Sequence, residues 1–104
     1  MFFRVELASR TVTLEEPADC KKFHVEAVTG GAAPDMGAVT AALGAAAAQS
    51  DDAHVWITEQ AVRDLAAGRV PESWAGEFDG MLGYARSKGW VDASGAIQAH
   101  VEWV

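Results

Sequence analysis

Cysteine is almost missing from this chain. Cys20 stands alone, so neither an internal disulfide nor a zinc site built on several cysteines can form. Flanking Lys21 and Lys22 give that thiol a basic setting, but no histidine partner adjoins it in sequence. No apolar run approaches the roughly 20 residues that a membrane-spanning helix needs. The opening MFFRVELASR alternates and carries Arg4 and Glu6, without the basic-then-apolar order of a secretory leader. The expectation is a cytoplasmic protein with no membrane partner. A phosphate-cradling loop is missing too, since TGGAAPD has no lysine, and no G-x-S-x-G elbow occurs. No residue set meets the geometric requirements of catalysis, so neither an enzyme nor a cofactor is expected.

Positive charge is scarce. The net charge is −7. Residues 1–50 hold four basic and six acidic side chains, and residues 51–104 hold four and nine. Such a surface repels phosphate backbones and anionic lipid, and it favours solubility and basic partners.

What is present suits one folded domain. The chain has 104 residues and is 50% apolar, enough for a single core without staples. FFRVELA and TVTLEE alternate and predict an antiparallel hairpin across SR. FHVEAV alternates in the same way, and TGGAAPD breaks the pattern. Asp35 is placed to cap a helix over 35–49, with Met36, Val39, Leu43 and Ala47 on one stripe. HVWI (54–57) reads as a short strand. Thr58 then caps EQAVRDLAA, Ile57 and Val62 form a staple around the cap, and Gly68 ends the helix. Pro71 opens a third helix over 72–88, with Trp74, Phe78, Met81, Leu82 and Ala85 as its apolar stripe. Gly89 ends it, with Trp90 folding back. WV, the turn DASG and AIQAHVEW predict a terminal two-stranded unit.

From residue 35 onward the predicted order is helix, short strand, helix, tight turn, helix, two-stranded wing. That layout resembles the winged helix-turn-helix fold, by element order and length and not by a signature motif. The expected class is therefore α+β. N-terminal antiparallel strands (1–33) precede a three-helix winged-helix-like unit with a C-terminal hairpin (34–104), all in one domain. The alanine-rich composition and the ending GW…G…HVEW are also similar to small proteins of GC-rich bacterial genomes, a likeness that implies no activity. A winged-helix relative would be expected to read DNA with residues 72–88 and its wing. This chain departs from that pattern: Glu72, Glu77 and Asp79 occupy the front of the helix, and no Lys or Arg follows Lys88. Nucleic acid is the alternative reading, and the charge pattern argues against it.

The exposed side of the third helix points elsewhere. At ~100° per residue, Gly76, Gly80 and Gly83 fall together opposite the apolar stripe. Three interior glycines cost a helix roughly 1 kcal/mol each against alanine. Their alignment predicts a smooth docking face, flanked by Tyr84 and Arg86, for the chain's own N-terminal sheet or for a partner chain. The leading expectation is a non-catalytic protein-interaction module or small adaptor that binds a partner protein or itself.

His-Val-Glu occurs twice, at 24–26 and 100–102. On a strand, His and Glu two apart share a face, and the repetition reads as two strands with one wet face each. Were 54–57 to pair with the wing, His54, His100 and Glu102 would offer two imidazoles and a carboxylate to a divalent ion. Metal or small-ligand binding is the second alternative.

Overall fold

In the computed structural model, which describes residues 1–104, alternation in the first fifteen residues makes a hairpin. Strand β1 (Phe2–Glu6) pairs antiparallel with β2 (Thr11–Glu15), from Phe2 opposite Glu15 to Glu6 opposite Thr11. The turn closes without glycine by placing Arg10 at φ 57°, in the left-handed region. Phe3, Val5 and Leu14 point to one face and are buried.

The chain then crosses to the other side of β1. The crossing loop is tied down at several points. The Met1 ammonium donates to the carbonyls of Asp19 (2.6 Å) and Lys22 (3.0 Å), and burial lowers its pKa below the usual 8.0. The Trp74 indole donates to Pro17 O at 2.6 Å, and Arg69 to Leu14 O at 2.8 Å. Strand β3 (His24–Val28) follows, parallel to β1.

Asp35 caps α1 (Met36–Leu43), its carboxylate accepting from the amides of Gly37 and Ala38. Gly44 at φ 58° ends the helix, a single 3₁₀ turn spans 44–46, and Ala47–Ser50 becomes edge strand β4. Beside it runs β5 (His54–Ile57). Thr58 Oγ1 accepts from Ala61 N at the start of α2 (Glu59–Ala66). Helix α3 (Trp74–Ser87) buries Trp74, Phe78, Leu82 and Ala85. Gly89 turns at φ 77°, and Trp90 N donates back to Ala85 O at 2.9 Å. A turn built on Asp92 delivers β6 (Ile97–Trp103) into the middle of the sheet.

The strand order is β2-β1-β3-β6-β5-β4 in a single six-stranded mixed sheet. The consecutive neighbours β1, β3 and β6 run parallel, while β2, β5 and β4 pair antiparallel. One face carries Phe3, Val5, Val25, Ala27, Val55, Ile57, Ile97 and Ala99 into a core shared with the buried stripes of the three helices. No residue of the opposite face is fully buried.

This architecture corrects the winged-helix expectation. The fold is α+β, but strands are spread through the chain rather than gathered before three helices. The N-terminal strands are not all antiparallel, because β3 runs parallel to β1. The expected helix over 35–49 stops at Leu43, since Gly44 takes a left-handed turn and residues 47–50 gain a ladder with β5; tertiary pairing outweighs alanine's helix propensity. The third helix starts at Trp74 rather than after Pro71. The C-terminal wing does not exist as such: Val91 makes only an isolated bridge to Ile97, and β6 lies between β3 and β5 instead of projecting as a hairpin. No helix is long and apolar enough to cross a membrane.

Candidate functional site

The glycine side of α3 is free of the chain's own atoms. A Cβ built on Gly76, Gly80 or Gly83 would meet nothing within 4 Å. That excludes docking against the N-terminal sheet, which the helix instead meets through its apolar stripe. Of the five expected contact residues, Gly80 and Tyr84 line a cavity, whereas Gly76, Gly83 and Arg86 lie on open surface beyond its walls.

The cavity measures about 470 Å³, within the range of small-molecule and side-chain pockets. Four segments build it. The loop before β3 contributes Cys20, Lys21, Lys22 and Phe23; α3 contributes Gly80, Met81, Tyr84 and Ala85; the return after α3 contributes Trp90; and the start of β6 contributes Ile97 and Gln98. Gly80 matters by omission, because any larger side chain there would enter the space. Tyr84 and Trp90 meet edge to face with centroids 5.9 Å apart, and they remain 59% and 43% exposed. Large aromatics left this open, side by side, form an apolar surface that the core does not use.

The charge lining the cavity is of one sign. Arg63 is tied to Glu59 and Asp79, and Arg4 to Glu6. Arg69 is spent on backbone carbonyls. Lys21, Lys22 and Lys88 join no ion pair, and neither do Arg10 and Arg86, which do not line the cavity. Lys21 and Lys22 line the cavity and Lys88 Nζ sits 5.5 Å from the Tyr84 ring centroid. No carboxylate lines it. Burial, with Glu77 nearby, pushes the Cys20 thiol above its ordinary 9.0, so the one nucleophile on the wall stays protonated at neutral pH.

A second cluster lies on the uncovered face of the sheet. Val25 pairs with Val101 and Glu26 with Glu102 on parallel neighbours, so the two His-Val-Glu segments stand side by side in register. His24 and His100 stack with centroids 5.5 Å apart. His54 is the register partner of His100, and Phe2 stacks on His24 at 4.9 Å. All three histidines of the chain thus share one row across β3, β6 and β5. His24 Nε2 lies 3.4 Å from Glu26 Oε2 and 3.7 Å from Glu102 Oε2. His100 Nε2 lies 3.1 Å from the other oxygen of Glu102, and the His100 hydrogen bond, with the His24 charge, holds the Glu102 carboxyl below its ordinary 4.5. His54 is engaged elsewhere: its Nδ1 is 3.0 Å from Asp51 Oδ1. The ligand atoms of His24, Glu26 and Glu102 gather within 4.8 Å of one another. The set His54, His100 and Glu102 does not converge in this way, and His24 and Glu26 take the place of His54 and His100.

No family model matches the chain, and no curated protein or solved structure matches it.

Proposed function

We propose that the protein is a non-catalytic interaction module whose cavity beside α3 receives an aromatic or large apolar side chain from an acidic segment of a partner protein. One observation carries this reading: two exposed aromatics close over a glycine-floored cavity whose only lining charges are lysines. A hot-spot anchor is typically an aromatic group filling such a pocket inside a ring of polar contacts. The net charge of −7 favours basic partners at long range. At physiological ionic strength, however, charges beyond about 8 Å are largely screened, so the lysines at the rim dominate at contact.

The test is an array of short peptides with a central Phe, Tyr or Leu. One set is flanked by Asp and Glu, the other by Lys and Arg. The natural chain is expected to bind the acid-flanked aromatic peptides. Gly80→Leu, which meets no steric bar on the helix and gains propensity, is expected to fold and lose them. Equal binding by the natural chain and Gly80→Leu would remove the cavity from the account. Preference for the basic set would reverse the assigned partner chemistry.

A further inference from the structure

The outer face of the sheet poses a physical problem of its own. Parallel ladders are usually covered on both faces, yet β1, β3 and β6 present one face without a helix. On that face Glu26 and Glu102 are direct partners across β3 and β6. Like charges directly opposite destabilise a sheet. No Lys or Arg answers them: Arg4 is the register partner of Glu26 but reaches Glu6 at 3.6 Å instead. Apart from the imidazoles beside them, the chain supplies these two carboxylates with no cationic partner.

We propose that this face binds one divalent transition-metal ion through Nε2 of His24, Oε2 of Glu26 and Oε2 of Glu102. Ligands at ~2.0–2.2 Å from zinc stand up to about 4 Å apart. The 3.4 and 3.7 Å separations from His24 fall in that range, and the ligand atoms of the three residues lie within 4.8 Å of one another, so the two carboxylates have less than about 1 Å to close on binding. His100 serves as the outer partner. Its Nε2–H donates to Glu102 Oε1, which fixes the carboxylate and leaves Oε2 turned toward His24, an arrangement that orients metal ligands elsewhere. The ligands are held on two adjacent central strands, and Phe2 stacks against the His24 ring, so little ordering remains to be done on binding. One imidazole with two carboxylates suits zinc and its first-row neighbours, whereas magnesium and calcium prefer all-oxygen sites. Three protein ligands leave a coordination position for water or for a group from a partner.

None of the three ligand residues lines the α3 cavity, and the metal test does not depend on peptide binding there. Zinc chloride and, in parallel, magnesium chloride are titrated calorimetrically into untagged, metal-stripped protein. The expected result is one zinc ion per chain and no magnesium binding. Glu102→Gln keeps shape and sits at a half-exposed position, so it folds; it and His24→Ala are expected to weaken zinc binding by more than about tenfold. His100→Ala is expected to weaken it by roughly 10–100-fold through loss of the outer hydrogen bond. His54→Ala is expected to leave it unchanged. Circular dichroism verifies that each variant is folded. Absence of zinc binding by the natural chain overturns the proposal. So does a folded Glu102→Gln that binds zinc as well as the natural chain, or loss of binding on His54→Ala alone.

Discussion

Strand β3 shows two chemistries on one backbone. Val25 and Ala27 are fully buried against the helices. Alternating with them, His24 and Glu26 face outward, with side chains 15% and 24% exposed. Strand β6 repeats His-Val-Glu in register, yet its His100 and Glu102 are 55% and 52% exposed. The same tripeptide is thus half-hidden in one strand and open in the next. The cause is lateral: His24 sits between the Phe2 and His100 rings, while β6 at this level is flanked by the short strand β5. The inner face is committed to holding the fold, and the outer face and the α3 groove keep their polar and aromatic groups available.

The strongest way to break this contrast is Phe3→Ala on the inner face. Phe3 is fully buried, and such truncations cost about 3–5 kcal/mol. Thermal unfolding should fall by more than about 10 °C. An outer-face change should never approach that effect, and a small loss at Phe3 would show the core to be misassigned.

A smaller effect is expected at the turn that feeds β6 into the sheet. The Ser94 hydroxyl, the Gln49 amide and the Ala96 and Ser94 N–H groups hold the Asp92 carboxyl down to about 2. The folded value lies below the unfolded one of about 3.9. The contribution is therefore present above pH ~4 and is lost as pH falls toward ~2. Melting temperatures of the natural chain and Asp92→Asn should differ most above pH ~4 and converge toward pH ~2. The gap should be modest, because solvent screens an exposed carboxylate. A gap that is constant with pH would remove Asp92 as the titrating group.

The smallest effect has the opposite sign. In metal-stripped protein at pH 8 and low salt, Glu26→Gln relieves the Glu26–Glu102 opposition and should raise the melting temperature by about 1–4 °C. Added salt should shrink the gain. A fall in stability would mean that Glu26 is already balanced by a neighbour.

Much of the local structure was legible in the sequence. Alternation placed β1, β2, β3 and β5, and the Asp35 and Thr58 caps marked two helix starts. Periodicity assigned a face to each strand but not a neighbour, which is why the parallel pairing of β3 with both β1 and β6 was invisible. Residues 47–50 were misread because alanine favours helix unless a strand offers hydrogen bonds, and β5 does. The wing was misread because one bridge at Val91 resembles a strand in sequence. For the cavity, the glycine alignment led to Gly80 and Tyr84 and the apolar stripe held Met81, while Phe23 and Trp90 come from other segments of the chain. The repeated His-Val-Glu held a usable signal, but its meaning depended on two strands 76 residues apart becoming neighbours.

The central claim is that partner binding is confined to the groove beside α3 and leaves the inner face untouched. The most direct measurement is an amide NMR map of the isotope-labelled natural chain titrated with an acid-flanked aromatic peptide. The account predicts shifts at Phe23, Gly80, Tyr84 and Trp90, with Phe3, Val25 and Ile57 unmoved. Shifts centred on the core strands, or none near Gly80 and Trp90 at saturating peptide, would contradict it.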